Sequence, residues 1–529
     1  MTQSETHPSH YGGVEMVKIR KSRSTVLWGA SILATASLAL TACSGEGTGA
    51  SPAPADLTEV HVDLTTAVTS IDPATGPYLS DSVIVGLTSG RLVQFVRGSA
   101  TETEPVLAES VTASSDATTY TVVLKPDLTF SDGSPLTSED VVASLTRLRD
   151  IPGPNQSYAE MIVDLAAPDT TTVTIGLSMP FAGFDQMLAV PAMGIVPAAA
   201  ATNEDYFQGE PVFSGPYVPE GNVKGSSFSL VRNETFAGAV PSIDKLDFSV
   251  VADTPTSVKR LQSGDVDFIP ALPHEVSAQL SGDVTAQQVD GLASLFIVPN
   301  NRPGGLFEDV RIRQAIAWAI DREALATSAF GPDVILQSGP YPAVADYPVP
   351  VKVYAKQDIA QAEKLLQGTA CENGCSFTVS YFASASDEAG RVAAVLQQQL
   401  EPLGLNMNIQ PVEDQQFIQN SVDGAFDLNI VTFSKFNAPS SAKGNFDPAA
   451  TMCIFAGCEN EQIAPAFNDL FGAQTPQDQE AASAQVLQVF EEWTPIIPVS
   501  GVTGSYGVRS NLVDVIGLQP NSELWIAGQ

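Results

Sequence analysis

Alternating apolar and polar positions predict β-strands in three stretches of the chain. Residues 59–64, 120–124 and 405–409 each place apolar side chains at every second position. Because successive side chains of a strand point to opposite faces of a sheet, this pattern is typical of half-buried strands.

Apolar residues at helical spacing predict helices over 141–148, 312–320 and 392–400. The first follows a capping box that begins at Thr137, and the second follows Asp309, a favourable helix cap. The third predicted helix runs directly into the third predicted strand. Helix-then-strand units of this kind favour an α/β fold with a partly parallel sheet.

The N-terminal segment has the pattern of an export signal. Four basic residues precede a run of apolar and small residues that begins at Thr25 and ends directly before Cys43. This resembles the bacterial lipobox, which predicts that residues 1–42 are removed and that Cys43 becomes a lipidated N-terminus. A single membrane anchor is the alternative, but the run is short for a span and rich in Ala, Ser and Thr. The sequence leaves open whether translation starts at Met1 or Met16.

The segment after the leader, residues 43–56, is rich in Gly, Ser, Pro and Ala, which predicts a flexible tether. The predicted structured part begins at residue 57. The whole chain has 529 residues. The part that follows residue 56 is too long for one compact core, so two or more lobes are expected.

The composition is strongly acidic, with 60 acidic against 25 basic residues and a formal net charge of −35. A surface of this charge repels phosphate groups, so we expect no binding to nucleic acid and no unassisted binding to anionic lipid. The acidic balance does not identify a ligand.

Four cysteines besides Cys43 predict two disulfide bonds in an exported protein. They are Cys371, Cys375, Cys453 and Cys458. Their close spacing favours the pairs Cys371–Cys375 and Cys453–Cys458, and cross-pairing between the two clusters stays open. A zinc site built from four thiolates is disfavoured because an exported protein meets an oxidising compartment.

Candidate catalytic and metal-binding residues are few. After the leader the chain contains only His61 and His274, which leaves little material for a Ser–His hydrolase or a histidine-rich metal site. Ser440 and Lys443 match the S-x-x-K spacing of penicillin-interacting enzymes, but the sequence lacks the companion S-D-N and K-T-G motifs. We therefore predict a protein that is not an enzyme and that uses no metal and no cofactor.

The run from Pro105 to Leu148 resembles the signature region of the extracellular solute-binding proteins of the peptide/nickel family. It contains, in order, a proline, a leucine–alanine pair, a strand, an FSDG turn and a capped helix. Further matches to this family follow at residues 213–217, 263–268, 300–325, 360–366 and 395–431. The resemblance covers residues 57–515.

The resemblance implies a two-lobed, periplasmic-binding-protein-like α/β fold of type II, in the large peptide-binding subclass, with a hinge and a ligand cleft. By analogy, lobe I contains residues 57–297 and the returning segment 499–529, and lobe II contains residues 298–498. Lobes of this kind close on their ligand by hinge bending.

The resemblance also implies where ligand contacts lie. In peptide-binding relatives an Asp in a W-x-x-D stretch pairs with the ligand's ammonium group. Here Phe433 stands in the Trp position, and Phe436 or Asn437 stands where the Asp belongs. A buried ammonium without a carboxylate partner is costly. Either another carboxylate serves, or Asn437 makes a neutral contact, or the ligand is not a peptide with a free amino terminus.

The predicted ligand-binding residues are Tyr78, Asn300, Phe433, Ser434, Phe436 and Asn437. For the phenylalanines the structural alternative is packing in the core, and for Asn300 it is turn formation. An ordinary loop is the alternative for Ser434 and Asn437.

The function that the resemblance implies is that of a receptor held at the outer face of the cell membrane by a lipid on Cys43. It captures a solute, with oligopeptide or dipeptide as the leading class and sugars or opines as alternatives. It then delivers the solute, as a monomer, to the permease and ATPase subunits of an ABC transporter. Two rival classes are a lipoprotein hydrolase that acts on cell-wall material through Ser440 and a surface signalling or adhesion protein with the same fold.

Overall fold

The computed structural model describes residues 58–76, 79–203, 205–337, 339–340, 356–433, 451–457 and 463–528. In this part of the chain no helix combines the length and the apolar character needed to cross a bilayer. The predicted leader and tether, with Cys43, lie outside the described residues.

Strands and helices are mixed along the described chain, as the predicted α/β class requires. The strands are β1 Glu59–Leu64, β2 Val93–Phe95, β3 Thr103–Pro105, β4 Ala108–Ala113, β5 Thr119–Leu124, β6 Ile162–Ala166, β7 Thr172–Leu177, β8 Tyr217–Glu220, β9 Ser227–Arg232, β10 Lys245–Val250, β11 Phe268–Ile269, β12 Val284–Pro299, β13 Cys375–Phe382, β14 Leu405–Val412, β15 Leu428–Phe433, β16 Ile497–Arg509, β17 Ile516–Leu518 and β18 Leu524–Ile526. The helices are α1 Leu79–Thr88, α2 Ser138–Asp150, α3 Phe184–Leu188, α4 Ala198–Ala201, α5 Thr254–Ser263, α6 His274–Ser277, α7 Val310–Ala319, α8 Arg322–Phe330, α9 Ile359–Leu366, α10 Ser386–Leu400, α11 Asp414–Asp423, α12 Thr451–Ala456, α13 Ile463–Gly472 and α14 Pro476–Trp493.

Ten strands form one mixed sheet in the order β14-β13-β15-β12-β16-β11-β1-β10-β9-β8. Parallel pairing joins β13 to β14 and β15, and it joins β1 to β10 and β11. The two central strands, β12 and β16, are antiparallel to each other. The partly parallel sheet that the helix-then-strand pattern predicts is therefore confirmed.

The central strands β12 and β16 connect the two halves of this sheet. Their register is shifted between Asp290 and Ser294. On one side of the shift β16 carries β11, and on the other side β12 carries β15. Register shifts of this kind bend a strand pair and increase its local twist. The predicted lobe boundaries at 297/298 and 498/499 fall inside these two strands, and the division into lobes stays a prediction.

A separate antiparallel sheet, β4-β5-β7-β6, packs against α2. The carboxylate of Asp140 accepts a hydrogen bond from the amide of Thr137 at 2.9 Å, so α2 begins where the predicted capping box places it. The face of α2 that the sequence predicts to be apolar is buried with the strands in one core, through Val141, Leu145, Leu148, Tyr120 and Val122.

The other two predicted helices pack into a second core. Helix α7 begins after Asp309, whose side chain accepts a hydrogen bond from the amide of Arg311 at 2.9 Å. After α10 the chain turns at Gly404, which has a left-handed φ of 70°, and β14 follows. The predicted apolar positions are buried in this core: Ile312, Ala315, Ile316, Ala319, Ile320, Val392, Leu396, Leu400, Leu405 and Met407.

One of the two predicted disulfides is confirmed, because Cys371 and Cys375 are bonded to each other. This bond excludes cross-pairing of these two cysteines with the other cluster. Cys453 is also disulfide-bonded. Its predicted partner Cys458 lies outside the described residues, so that pairing stays a prediction.

Helix α13 and the residues after it contact the region around the four-stranded sheet. The rings of Phe471 and Phe181 meet edge to face with centroids 5.4 Å apart. The amide of Ala182 donates to the carbonyl of Phe471 at 2.6 Å. Nε2 of Gln474 donates to the carbonyl of Ser115 at 2.7 Å. We call these interactions the α13 contact; they join residues from opposite sides of the predicted lobe division.

Candidate functional site

The loop between β1 and α1, residues 65–76, leads to the predicted ligand residue Tyr78. The start of this 65–76 loop is held by Asp81, a fully buried carboxylate on α1. Asp81 accepts hydrogen bonds from the amides of Thr69 at 2.6 Å and Ser70 at 3.1 Å, and from the Thr69 hydroxyl at 2.9 Å. Hydrogen bonds to an ionised acceptor are strong, so these three fix the backbone of the loop.

A buried ion pair holds the middle of the 65–76 loop. Arg147 on α2 donates two parallel hydrogen bonds to Asp72, both at 2.6 Å. Asn155 donates to the carbonyl of Pro73 at 2.8 Å. A bidentate Arg–carboxylate pair fixes orientation as well as distance. The loop therefore has a defined conformation up to Gly76, whereas Tyr78 lies outside the described residues and its ligand role stays a prediction.

The second predicted contact segment begins at the end of β15. The backbone of Phe433 closes this strand opposite Ser294 of β12. Ser434, Phe436 and Asn437 lie outside the described residues, together with the position at which the family's usual Asp is missing. Their ligand contacts stay predictions.

Two buried serine hydroxyls lie at the register shift of the central strands. Ser294 is 1% exposed and Ser500 is 0% exposed, and neither Oγ has a hydrogen-bond partner in the described part of the chain. Ser500 pairs with Leu295, the neighbour of Ser294. Because successive side chains alternate between faces, the two hydroxyls lie on opposite faces of the sheet. No local sequence pattern predicts this pair, since it depends on the register of two strands that are distant in the chain.

The structure does not bring Asn300 and Phe433 together. Strands β12 and β15 are antiparallel, with Pro299 opposite Leu428 and Ser294 opposite Phe433. Asn300 therefore follows the far end of the pair. Asn300 lies six residues from Ser294, so it is separated from Phe433 along the strand by roughly 20 Å at about 3.4 Å per residue.

The side chain of Asn300 is engaged with the backbone around it. Its Nδ2 donates to the carbonyls of Gly424 at 2.8 Å and Phe426 at 2.9 Å. Its Oδ1 accepts from Nη1 of Arg302 at 3.1 Å. These bonds correspond to the turn-forming alternative, and a ligand contact by Asn300 stays an untested prediction.

A polar cavity of about 710 Å³ lies beside Asn300. Arg302 also borders this cavity, but its guanidinium donates to the carbonyls of Val422, Ile454 and Phe455. The other polar side chains that line it are neutral or acidic: Thr378, Ser380, Gln410, Asn420, Asp423 and Asp427. Sequence reasoning missed this cavity because its lining comes from separate segments that only the fold brings together.

Buried carboxyl groups with raised pKa values have structural partners. Burial raises the pKa of Glu523, and the guanidinium of Arg91, 2.5 Å away, opposes that shift. Burial likewise raises the pKa of Asp185, which accepts a hydrogen bond from the Thr103 hydroxyl at 2.8 Å. The Ser440–Lys443 pair of the hydrolase alternative lies outside the described residues.

Curated relatives of this chain are named as binding proteins. The glutathione-binding protein GsiB of Pectobacterium atrosepticum is 31% identical over 313 residues, which are 58% of this chain and 60% of that protein. The chain thus spans about three fifths of the length of the curated relatives it matches.

Solved structures with the same fold hold different ligands. DppA from Helicobacter pylori, in complex with the peptide STSA, has a TM-score of 0.71 at 18% identity and covers 88% of this chain and 98% of its own. AgaA from A. tumefacien R10, in complex with agropinic acid, has a TM-score of 0.72 at 22% identity and covers 89% of this chain and 99% of its own. The predicted fold, that of the periplasmic binding proteins, is confirmed.

A family model confirms the resemblance on which the sequence interpretation depends. The model, described as the middle part of bacterial extracellular solute-binding proteins, family 5, matches residues 102–451. This span includes the four-stranded sheet and the register shift in β12. The chain therefore belongs to the bacterial extracellular solute-binding proteins of family 5.

Proposed function

We propose that this protein is the receptor of an ABC importer, and that it binds a peptide outside the cytoplasm and delivers it to a membrane permease. Membership of family 5 is the observation that carries this proposal. Peptide is the preferred ligand class because the curated relatives bind glutathione, which is itself a small peptide. The receptor performs no chemistry, and the ATPase partner of the permease supplies the energy of transport.

The geometry of the described residues supports a receptor that closes on its ligand. The 65–76 loop and the end of β15 offer two ordered segments, each leading into predicted ligand residues. The register shift of β12 and β16 between them provides a bend point for a hinge. A ligand that contacts both segments stabilises the closed form, which is the form that the permease then recognises.

The proposed location is the outer face of the cell membrane. Members of this family work outside the cytoplasm, and the predicted lipid on Cys43 would keep a monomeric receptor close to its permease. A Cys43→Ser variant is expected to move from the membrane fraction to the soluble extracytoplasmic fraction. Retention in the membrane fraction would contradict the lipid anchor.

A non-peptide solute is the second candidate ligand. Phe436 or Asn437 stands at the position where peptide-binding relatives are expected to carry the carboxylate that neutralises a peptide ammonium, and AgaA holds agropinic acid in the same fold. Both observations favour a receptor role with a different solute class.

Native mass spectrometry of the exported protein, purified gently from an oxidising compartment, tests the proposal. A heterogeneous series of bound peptide masses is the expected result. One defined non-peptide mass would leave the receptor role in place and overturn the peptide assignment. An empty protein that shows no thermal shift with panels of peptides, sugars and amino acids would overturn the receptor role.

A matched pair of ligands then tests how the missing carboxylate is replaced. A tripeptide and its N-acetylated form differ only in the ammonium group. If another carboxylate serves, acetylation should weaken binding strongly, because an unpaired buried carboxylate remains. If Asn437 makes a neutral contact, the two dissociation constants should agree within about tenfold, equivalent to about 1.4 kcal/mol.

A further inference from the structure

A row of polar side chains crosses four strands of the ten-stranded sheet. Asp247 of β10 lies directly opposite Ser229 of β9 and His61 of β1. Residues opposite each other on neighbouring strands share a face, so these side chains meet on one surface. Asp267, immediately before β11, extends the row beyond His61.

The ring of His61 is oriented by Asp267. One oxygen of Asp267 accepts from the backbone amide of His61 at 2.9 Å and lies 3.2 Å from ring Nδ1. The opposite ring nitrogen, Nε2, faces Asp247. That Nε2 lies 3.7 Å from Oδ2 of Asp247. A carboxylate on the other ring nitrogen is the usual arrangement that orients a metal-binding histidine.

Glu59 completes the cluster from the same strand as His61. One ligand atom each from Glu59, His61 and Asp247 lies within 4.8 Å of the others. The ammonium of Lys245 is 3.1 Å from Oε1 of Glu59 and 3.0 Å from Oδ1 of Asp247. A cation therefore already occupies the position between the two carboxylates.

The cluster is open to solvent. The imidazole is half exposed, with 50% of its side-chain surface accessible. An ion can therefore reach Nε2 from solvent, and water can complete its coordination shell.

We propose that Glu59, His61 and Asp247 form a binding site for Zn²⁺ or a similar divalent transition metal, oriented by Asp267 and opposed by Lys245. One imidazole nitrogen and two carboxylate oxygens are ligands that Zn²⁺ accepts, with water in the remaining position. The site uses no residue of the proposed solute site, so it goes beyond the receptor function. Metal binding joins β1 to β10 and displaces the Lys245 ammonium.

Isothermal titration of the metal-free exported protein with Zn²⁺ alone tests this site. We expect one equivalent of Zn²⁺ to bind at a site that H61A abolishes. D267N should weaken binding about ten- to hundredfold, the usual effect of losing an outer-shell partner. K245M should tighten binding, because it removes the competing cation without changing the three ligands.

His274 offers the matched control, as the other histidine of the chain after the leader. H274A should leave zinc affinity unchanged, which separates the site from weak binding to the acidic surface. Circular dichroism of each variant verifies that it is folded. Zinc affinity that is equal in H61A and the unchanged protein, or no zinc binding even in K245M, would overturn the proposal and leave the carboxylates as partners of Lys245 only.

Discussion

At the scale of single residues, the 65–76 loop depends on the ion pair between Asp72 and Arg147. Both side chains are buried, at 7% and 8% exposure. Arg147→Met should leave the Asp72 carboxylate without compensation and lower the free energy of unfolding by about 3–5 kcal/mol. Urea denaturation measures this change. Asp72→Asn combined with Arg147→Met should recover much of the loss, since it removes both charges.

Arg149 supplies the control for that experiment on the same helix. It pairs with Asp150, whose side chain is 57% exposed. Exposed pairs contribute little, so Arg149→Ala should change the free energy of unfolding by less than about 1 kcal/mol. Equal effects of the Arg147 and Arg149 substitutions would contradict the role assigned to the buried pair.

The carboxyl of Asp185 predicts a pH dependence of stability. Burial raises its pKa in the folded state above the unfolded value. Folding therefore favours the protonated form, and the stability it contributes is present at low pH and is lost as pH rises through the folded pKa. Asp185→Asn keeps an acceptor for the Thr103 hydroxyl and removes the titration. The variant should therefore gain stability relative to the unchanged protein at pH 7. The difference between their free energies of unfolding should be larger, in favour of the variant, at pH 7 than at pH 4.

Thermal unfolding across pH 4 to 8 measures that difference, with Asp132→Asn as the control. Asp132 is an exposed carboxyl whose pKa is lowered by hydrogen bonds with Ser134. Its stability contribution is lost as pH falls, which is the opposite direction. The same pH trend in both variants would contradict the assignment to Asp185.

Hydrogen bonds between residues close in the chain were predictable from the sequence, and those between distant residues were not. The sequence identified the capping box that begins at Thr137 and the Asp309 cap of α7, because the partners of each cap lie within three residues of each other. It did not identify the ion pair between Asp72 and Arg147, which are 75 residues apart. Hydrogen bonds between distant segments depend on the fold, and no local pattern reports them.

At the scale of elements, the Cys371–Cys375 disulfide closes the turn before β13. In the chain-entropy model a loop this short contributes about 2 kcal/mol to the free energy of unfolding. Replacing both cysteines with alanine should lower the free energy of unfolding by about that amount. Urea denaturation with and without reductant measures it: reductant should destabilise the unchanged protein more than the double variant. An equal response to reductant would contradict a stabilising role of this bond.

Elements with one strong periodic signal were predicted well, and the candidate site was predicted only in part. The apolar stripes of α2, α7 and α10 are buried, as their helical spacing predicts. The site depends instead on the register of β12 against β15 and β16. That register places Asn300 beyond the end of the pair opposite Phe433, a separation that motif matching could not reveal.

At the scale of the whole molecule, the α13 contact joins the two sides of the predicted lobe division. On one side it involves Ser115, Phe181 and Ala182, and on the other side it involves Phe471 and Gln474. If the proposed receptor opens by bending at β12 and β16, we expect this contact to break on opening and to re-form on closure. Its strength would then contribute to the equilibrium between the open and closed forms, and to ligand affinity through that equilibrium.

Gln474→Ala tests this coupling without disturbing the core. The variant loses the hydrogen bond to the Ser115 carbonyl, worth about 0.5–1.5 kcal/mol net. If that bond exists only in the closed form, ligand affinity should fall about two- to tenfold, because apparent affinity scales with the closed population. Gln479→Ala is the matched control, since Gln479 donates to Ala473 within its own segment. Titration calorimetry with the ligand recovered by native mass spectrometry gives both dissociation constants. Equal constants for the two variants would show that the α13 contact persists in the open form and that closure does not depend on it.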